Sequence, residues 1–518
     1  MALAVFSAGA CTGQRSPKAT RVEWAADSAT VRTAAGPQYN RGGVWRFFWG
    51  AHYRHLWAQP VTVPAVRLAT VLPGGLRPLQ AGGSYQSRTL RLQAPDGHQF
   101  VLRSVDKDAS SALPEGWKRK LLGGLMKDQT SVIQPFGAYV AAELAEVAGV
   151  YHANPRLVFL ADDPALGEFR NRYAGALYLL EERADGDQRQ RAHFGASASV
   201  VSSAKMLADI RQHPGSRVNA RAYLRARLLD VWLGDWSRRE DQWRWASFPL
   251  PGGQGYRPIP RDRDQAFFLF DDGVLTRIIS WVMPKYQSFH RHINLGDVDA
   301  LTQTARALDQ TILSALTDED FRQEADSLRL RLTNAAIDRA LQAGPPETRA
   351  EIAAHFGPLL KARREQLPAV AQRYRQLLLR NAWVIGTDQA ERFVLSTAGP
   401  GVVRVKHYTS REGRPDSLVS EQAMDVRHTR RLDIFGLGGD DVFELRSALR
   451  PGFAVALHGG HGTDVVRGDN TRGSRGITWY TSANPNVTGP PDVRVKQDPE
   501  AALNYNASSW QGRYNLDD

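Results

Sequence analysis

The first regular pattern along the chain is an alternation of apolar and polar residues that predicts a β-hairpin. Residues 88–92 alternate as a strand does, residues 95–97 (Pro-Asp-Gly) are a hairpin signal, and residues 99–105 form the return strand. The return strand carries a cation, Arg103, close to its end. A glycine-containing turn at residues 81–86 precedes the hairpin.

Helical spacing of apolar residues begins further along the chain. In residues 136–147 apolar side chains recur every three or four positions, which predicts a helix. Residues 155–160 and 175–183 predict two more strands. Residues 217–236 predict a long amphipathic helix, and residues 297–379 are helical in pattern almost throughout, with one break at a Gly-Pro-Pro sequence.

After residue 381 the pattern changes to short strands and glycine turns, which predicts a separate β domain. The glycine turns contain acidic residues, among them Asp440, Asp441 and Asp464. The second turn matches the Gly-Gly-x-Gly-x-Asp repeat of calcium-binding β-rolls, in which several repeats stack. We therefore weigh two interpretations, a Ca²⁺ site in this domain and a stack of short β turns without metal.

A chain of 518 residues is too long to fold around a single hydrophobic core. Its composition, with 42% hydrophobic and 23% charged residues, is typical of globular proteins. We expect a tether at 1–40, a β-rich lobe at 41–180, a helical lobe at 181–385 and a β domain at 386–518.

Lys and Arg number 66 and Asp and Glu 54, so the net charge is +12. No block of five or six like charges occurs, and the sequence predicts no nucleic-acid partner.

A short apolar run ends at the chain's one cysteine, Cys11. This order is typical of a bacterial lipoprotein signal, although no Lys or Arg precedes the run and Ala8 stands where Leu is usual. We expect membrane attachment through lipidated Cys11, in the periplasm or at the outer membrane. An incidental thiol in a disordered start is the alternative. No later run reaches the roughly 18 apolar residues of a spanning helix.

Two charged loops carry the candidate chemistry of this chain. Residues 233–243 follow an apolar run and combine acidic, basic and aromatic side chains, and residues 258–267 form a second charged loop. Two acidic loops flanking a connecting segment suit a metal–nucleotide site, in which one loop supplies a base and a metal ligand and the other the main metal carboxylate. Surface ion pairs are the alternative, but Trp236, Trp243 and Trp245 require burial.

Taken in chain order, these segments resemble an atypical kinase-like family that includes the HipA-type, secretory-pathway and spore-coat kinases. Its members share a Gly-Asn-x-Asp-Arg-His loop followed by a metal ligand, and then a short strand that ends in a metal-binding Asp. Residues 233–242 resemble this loop, and Asp262, with Phe267 five residues later, resembles the metal-binding Asp. The resemblance covers about residues 82–267. It implies an α+β protein with a two-lobed kinase-like fold, followed by a small all-β domain.

The same resemblance implies a site for ATP with Mg²⁺ or Mn²⁺. It assigns Gly82, Gly83 and Ser84 to cover the phosphates, Arg103 or Lys107 to hold them, Glu143 to pair with the cation, and Asp262, Gln242 and Asp264 to bind metal. A base is expected from Asp235 or Asp241 of the same loop, with a geometry shifted from that of the family. Residues 52–54 (His-Tyr-Arg), 102–108, the Gly-Asp-Trp loop at 234–236 and residues 260–267 carry a closer likeness. Through them, residues 45–490 resemble a bacterial envelope module that occurs beside metallophosphoesterase and outer-membrane barrel domains. The protein or envelope substrate is not specified by either resemblance.

Several residues depart from the kinase pattern. Ser237 stands at the position of the catalytic Asp, and serine cannot serve as a carboxylate base. Arg239 replaces the His, Gln242 replaces the usual Asn or Glu, and Arg103 replaces the lysine. Two hypotheses follow. One is an ATP- and Mg²⁺-dependent phosphotransferase of the cell envelope, and the other is a pseudokinase that acts as an envelope binding or assembly module.

Overall fold

The computed structural model describes most of the chain between residues 23 and 497. The described residues are 23–24, 30–82, 87–107, 117–283, 286–411, 414–446, 449, 451–468, 476–481, 486–488 and 493–497. The expectations for Cys11, Gly83 and Ser84 therefore lie outside the described residues. In the described part no helix is both long and apolar enough to cross a membrane.

An eight-stranded sheet forms the N-terminal part. Its strands are β1 (Glu23–Trp24), β2 (Thr30–Ala34), β3 (Pro60–Val66), β4 (Arg77–Gly82), β5 (Thr89–Gln93), β6 (Gln99–Ser104), β7 (Arg156–Leu160) and β8 (Ala176–Glu182). They lie in the order β1-β2-β3-β7-β8-β6-β5-β4. The predicted hairpin is confirmed as β5 and β6, with Gly97 at a φ of 87° in the turn. Strand β2 lies inside the segment that was expected to be only a tether.

A second, four-stranded sheet follows, made of β9 (Ser199–Ser202), β10 (Arg217–Val218), β11 (Trp243–Leu250) and β12 (Gly253–Pro260). Strand β12 ends at Pro260, so Asp262 and Asp264 lie in the loop beyond it and not on one face of a strand. Asp262 has a φ of 60°, in the left-handed region, and turns the chain away from the sheet. The guanidinium of Arg238 donates to the Arg261 carbonyl at 2.6 Å, which removes this acceptor from strand pairing.

Fourteen helices surround and connect the sheets in the described residues. They are α1 (Gly43–Trp49), α2 (Arg54–Ala58), α3 (Trp117–Asp128), α4 (Gly137–Ala148), α5 (Arg170–Tyr173), α6 (Ser203–Gln212), α7 (Ala220–Leu233), α8 (Val274–Val282), α9 (Leu295–Leu301), α10 (Arg306–Leu313), α11 (Asp318–Arg331), α12 (Asn334–Ala340), α13 (Pro346–Glu365) and α14 (Leu367–Arg380). Helix α4 and the helical region from α9 to α14 confirm the periodicity. Helix α7 was expected to be amphipathic and is not. Tyr223, Leu224 and all of residues 226–233 are buried, so no polar face is left along most of the helix.

The C-terminal part is all β. Its strands are β13 (Asn381–Ile385), β14 (Glu391–Gly399), β15 (Val402–Arg411), β16 (Arg414–Asp425), β17 (Arg431–Gly438), β18 (Val442–Leu445), β19 (Ala454–His461), β20 (Val465–Gly468), β21 (Ile477–Thr481), β22 (Asn486–Thr488) and β23 (Arg494–Gln497). From β17 onward the chain alternates between two sheets, and each strand pairs in parallel with the equivalent strand of the next coil. The α+β class and the all-β C-terminal part are confirmed.

Candidate functional site

The loop after α7 is held from beneath by buried charges. Helix α7 ends at Gly234, which has a φ of 71° and donates to the carbonyls of Asp230 and Val231. The Asp230 carboxylate accepts from Arg227 at 3.2 Å and lies 2.9 Å from Arg238 and 3.2 Å from Arg263. Burial disfavours ionisation, but the neighbouring arginines outweigh it and hold the pKa of Asp230 below its ordinary value.

Two ion pairs join the first sheet to the loop that follows β12. From the end of β6, Arg103 donates to Asp262 at 2.7 Å, and the Lys107 ammonium contacts the Asp264 carboxylate directly. Arg103 also lies 3.4 Å from Glu181 on β8. All three carboxylates are largely shielded from water, so these pairs are stronger than exposed ones. The structure thus brings together four of the residues predicted for the site.

The two neighbouring carboxylates have opposite pKa shifts. Burial opposes the ionisation of Asp262, but Arg103 and Lys107 outweigh it and lower its pKa to about 2. Burial and the charge of Asp262 raise the pKa of Asp264 above its ordinary value. The positive charges that neutralise this pair come from Arg103 and Lys107, which lie about 160 residues away in the sequence.

Two oxygen atoms near these pairs are buried without a hydrogen-bond donor. They are Oδ1 of Asp262 and Oε1 of Gln242. The two residues belong to adjoining backbone segments, because the Arg261 amide donates to the Gln242 carbonyl at 2.9 Å. A buried acceptor without a partner costs free energy. Both oxygens therefore suit a cation or a hydrogen-bond donor.

The carboxylates expected to act as base lie in different environments. Asp235 is fully buried and accepts from Arg238 at 2.6 Å and from the Ser237 amide at 3.1 Å. Burial is the main cause that raises its pKa to about 7. Asp241 is exposed on the 3-10 turn Glu240–Gln242 and accepts from Arg239 at 3.0 Å. Only Asp241 is accessible to a substrate.

Of the residues predicted to cover the phosphates and to pair with Arg103, Gly82 lies near Arg103 and Glu143 does not. Gly82 ends β4 opposite Thr89, and Thr89 pairs in turn with Arg103, so the glycine turn begins at the same end of the sheet as the cation. Glu143 is exposed and lines a separate pocket of about 540 Å³. The structure does not bring it to Arg103, whose acidic partners are Glu181 and Asp262. The signal for Glu181 was its place at the polar end of a buried strand.

The oxygen atoms near Asp262 are of the kind that a hard cation uses as ligands. Among the described residues, no group of three or more His, Cys, Asp or Glu side chains is placed to hold a metal ion. Magnesium commonly uses one or two protein carboxylates and completes its shell with water and substrate phosphates. Asp262 and Asp264, with the amide oxygen of Gln242, match that donor set.

In the C-terminal part the acidic turns form a stacked series. Oδ1 of Asp441 accepts from the Glu391 amide at 2.9 Å, and Oδ1 of Asp464 accepts from the Asp441 amide at 3.1 Å. The other carboxylate oxygens lie against Gly436 and Gly459, where an added Cβ would be 2.0 Å away. Backbone amides and close glycines thus account for the glycine–aspartate pattern of these turns. Calcium at these turns stays an untested expectation.

Comparisons with known proteins give a weak structural likeness. No protein-family model matches the chain, and no curated protein matches it. Among solved structures, the proinflammatory kinase CtkA of Helicobacter pylori is similar to it, with 10% sequence identity and a TM-score of 0.30. The match covers 61% of this chain and 99% of that chain. The likeness is to a kinase, but it is too weak to carry conclusions about fold or chemistry.

Proposed function

We propose that the cluster around Asp262 binds a nucleoside triphosphate with Mg²⁺ or Mn²⁺, and that the chain is a pseudokinase-like binding module. The observation that carries the proposal is Asp262 Oδ1, a buried acceptor without a donor in the residue that Arg103 pairs with, together with a second such acceptor, Gln242 Oε1, on the adjoining backbone segment. Asp262 and Gln242 would hold the metal, with Asp264 assisting. When bound, the metal supplies positive charge between the phosphate oxygens.

The two ion pairs make this binding an exchange of partners. Without ligand, Arg103 and Lys107 neutralise Asp262 and Asp264. Phosphate oxygens would replace the carboxylates as partners of the two cations, since arginine and lysine both bind phosphate. A divalent cation would then replace Arg103 as the partner of Asp262.

Binding without phosphoryl transfer is favoured by the state of the loop carboxylates. Ser237 offers no carboxylate, and Asp235 is fully buried against Arg238. A phosphotransferase is the second candidate, and the exposure of Asp241 on the same turn as Gln242 favours it. The location outside the cytoplasm, with a lipid on Cys11, belongs to the same proposal and rests on the sequence alone.

Thermal denaturation with and without ligands tests the site. We expect Mg²⁺ and ATP together at millimolar concentration to raise the melting temperature by several degrees, since a ligand of the folded state adds RT ln(1 + [L]/Kd). Gln242→Ala should remove that rise with little loss of basal stability, because its Oε1 has no partner to lose. Asp262→Asn should remove it too, at a greater basal cost, because the substitution weakens the pair with Arg103. Gln212→Ala, at an exposed glutamine of α6, is the matched control.

The two candidates separate on turnover. A phosphotransferase transfers the γ-phosphoryl group of labelled ATP to protein, and Asp241→Asn should abolish the transfer. A binding module shows the thermal shift alone. The absence of any shift in the wild-type chain would refute both candidates.

A further inference from the structure

Two short helices present a continuous apolar surface. Helices α1 and α8 pack against each other. Of the fifteen large apolar side chains that are exposed among the described residues, eight lie on these two helices, with exposed fractions from 37% to 85%. The eight, which we call the α1/α8 patch, are Val44, Trp45, Phe47, Phe48, Val274, Ile278, Trp281 and Val282. Soluble proteins rarely expose apolar side chains in such a cluster, and a cluster of this kind marks an interaction surface.

The patch is held firmly from beneath. Asp272, next to the start of α8, lies 2.5 Å from the buried His52 ring and accepts from the His52 amide at 2.6 Å. On the other side, the Trp45 indole donates to Asp128 at 2.8 Å. Gly273 packs so closely on Gly50 that an added Cβ would lie 2.3 Å from its nitrogen. The apolar side chains therefore face outward from a fixed base.

The charge of the patch has one sign. Neither helix contains Asp or Glu, and the charged residues within them are Arg46 and Arg277, both exposed. A two-fold contact between copies would press the same surface against itself. Neither copy would then offer Arg46 or Arg277 an acidic partner from these helices, which favours an anionic surface over a second copy.

We propose that the α1/α8 patch docks on the surface of a bilayer that contains anionic lipids. Tryptophan and phenylalanine prefer the boundary between headgroups and acyl chains, and arginine binds lipid phosphates. Helices of seven and nine residues are too short to span a bilayer and would lie in its surface. This docking is independent of a lipid on Cys11 and of the nucleotide proposal.

Vesicle sedimentation tests this docking. The full chain with Cys11→Ser, which excludes an acyl anchor, is mixed with vesicles of phosphatidylcholine alone or of phosphatidylcholine with phosphatidylglycerol. We expect binding to the anionic vesicles that weakens with added salt. Phe47→Ser combined with Trp281→Ser should lower the partition coefficient by roughly ten-fold or more, because membrane binding follows the buried apolar area. Arg46→Gln with Arg277→Gln should reduce the preference for phosphatidylglycerol.

Leu330→Ser combined with Leu418→Ser is the matched control, since both leucines are exposed on other elements. This control should bind vesicles as the parent chain does. The proposal is overturned by any of three results: no vesicle binding, equal binding to neutral and anionic vesicles, or equal loss in the control pair. A concentration-dependent dimer that disappears in the Phe47/Trp281 variant, without vesicle binding, would assign the patch to a second copy instead.

Discussion

Asp230 is the residue on which most of the buried positive charge beneath the site depends. Its carboxylate is fully buried and pairs with Arg227, Arg238 and Arg263. Arg227 has a second partner in Asp309 at 3.0 Å, and Arg238 has one in Asp235 at 2.6 Å. The network therefore adds buried ion pairs to the apolar packing that positions the loop carrying Gln242.

We expect Asp230→Ala to lower the free energy of unfolding by about 3–5 kcal/mol, because it leaves buried arginines with too few partners. Urea denaturation followed by circular dichroism measures the loss. Asp338→Ala, which removes an exposed ion pair with Lys361, should cost at most about 1 kcal/mol. If Asp230→Ala costs no more than this control, the buried network does not determine stability.

At the scale of elements, the acidic turns of the C-terminal sheets make the stability of the folded state depend on pH. Burial first, and then the charges of Glu391 and Asp464, raise the pKa of Asp441 to about 9. In the unfolded chain this carboxyl ionises near pH 3.9. Between these two values the folded state holds one proton more than the unfolded state, so stability falls as the pH rises. The loss ends above the folded pKa.

Asp441→Asn should remove this part of the pH dependence, since an amide does not ionise. The wild-type chain should lose up to about 1.4 kcal/mol per pH unit from this group between pH 6 and pH 9, and the variant should lack that slope. Melting temperatures at several pH values measure the difference. Asp338→Asn, at an exposed position, should leave the slope unchanged. Parallel slopes in the wild type and Asp441→Asn would contradict the raised pKa.

At the scale of the whole molecule, an apolar contact joins the helical and the all-β parts. Trp383, Phe435 and Leu437 form a buried cluster on which Ala307 of α10 packs. The rings of Trp383 and Phe435 meet edge to face at 5.2 Å. Arg211 of α6 adds a pair with Asp388 at 2.8 Å. The all-β part is thus docked through its first coils, and its later coils extend from them.

Trp383→Ser should weaken this docking, since loss of a buried tryptophan side chain costs about 3–5 kcal/mol. Differential scanning calorimetry should then resolve a separate, lower transition for the all-β part. Leu418→Ser, at an exposed position of β16, should keep the wild-type profile. An unchanged profile in Trp383→Ser would mean that the two parts already unfold independently.

Local patterns predicted the elements of this protein well, because they depend on neighbouring residues. The hairpin of β5 and β6, the helix α4 that ends at Gly149 and the strands after residue 381 follow from periodicity and turn residues. The kinase-like resemblance selected Arg103, Lys107, Asp262 and Asp264, and the structure brings these four together.

The tertiary structure decided the partners, because partner choice depends on strand register between distant segments. Arg103 lies opposite Leu179, and this register brings Glu181 rather than Glu143 into reach. The Arg238 guanidinium donates a hydrogen bond to the Arg261 carbonyl, and strand β12 ends before Asp262. The sequence alone thus determined which side chains we propose for phosphate and metal binding. Only the packing of the sheets and α7 determined that the cations neutralise the carboxylates, since burial makes such pairing obligatory.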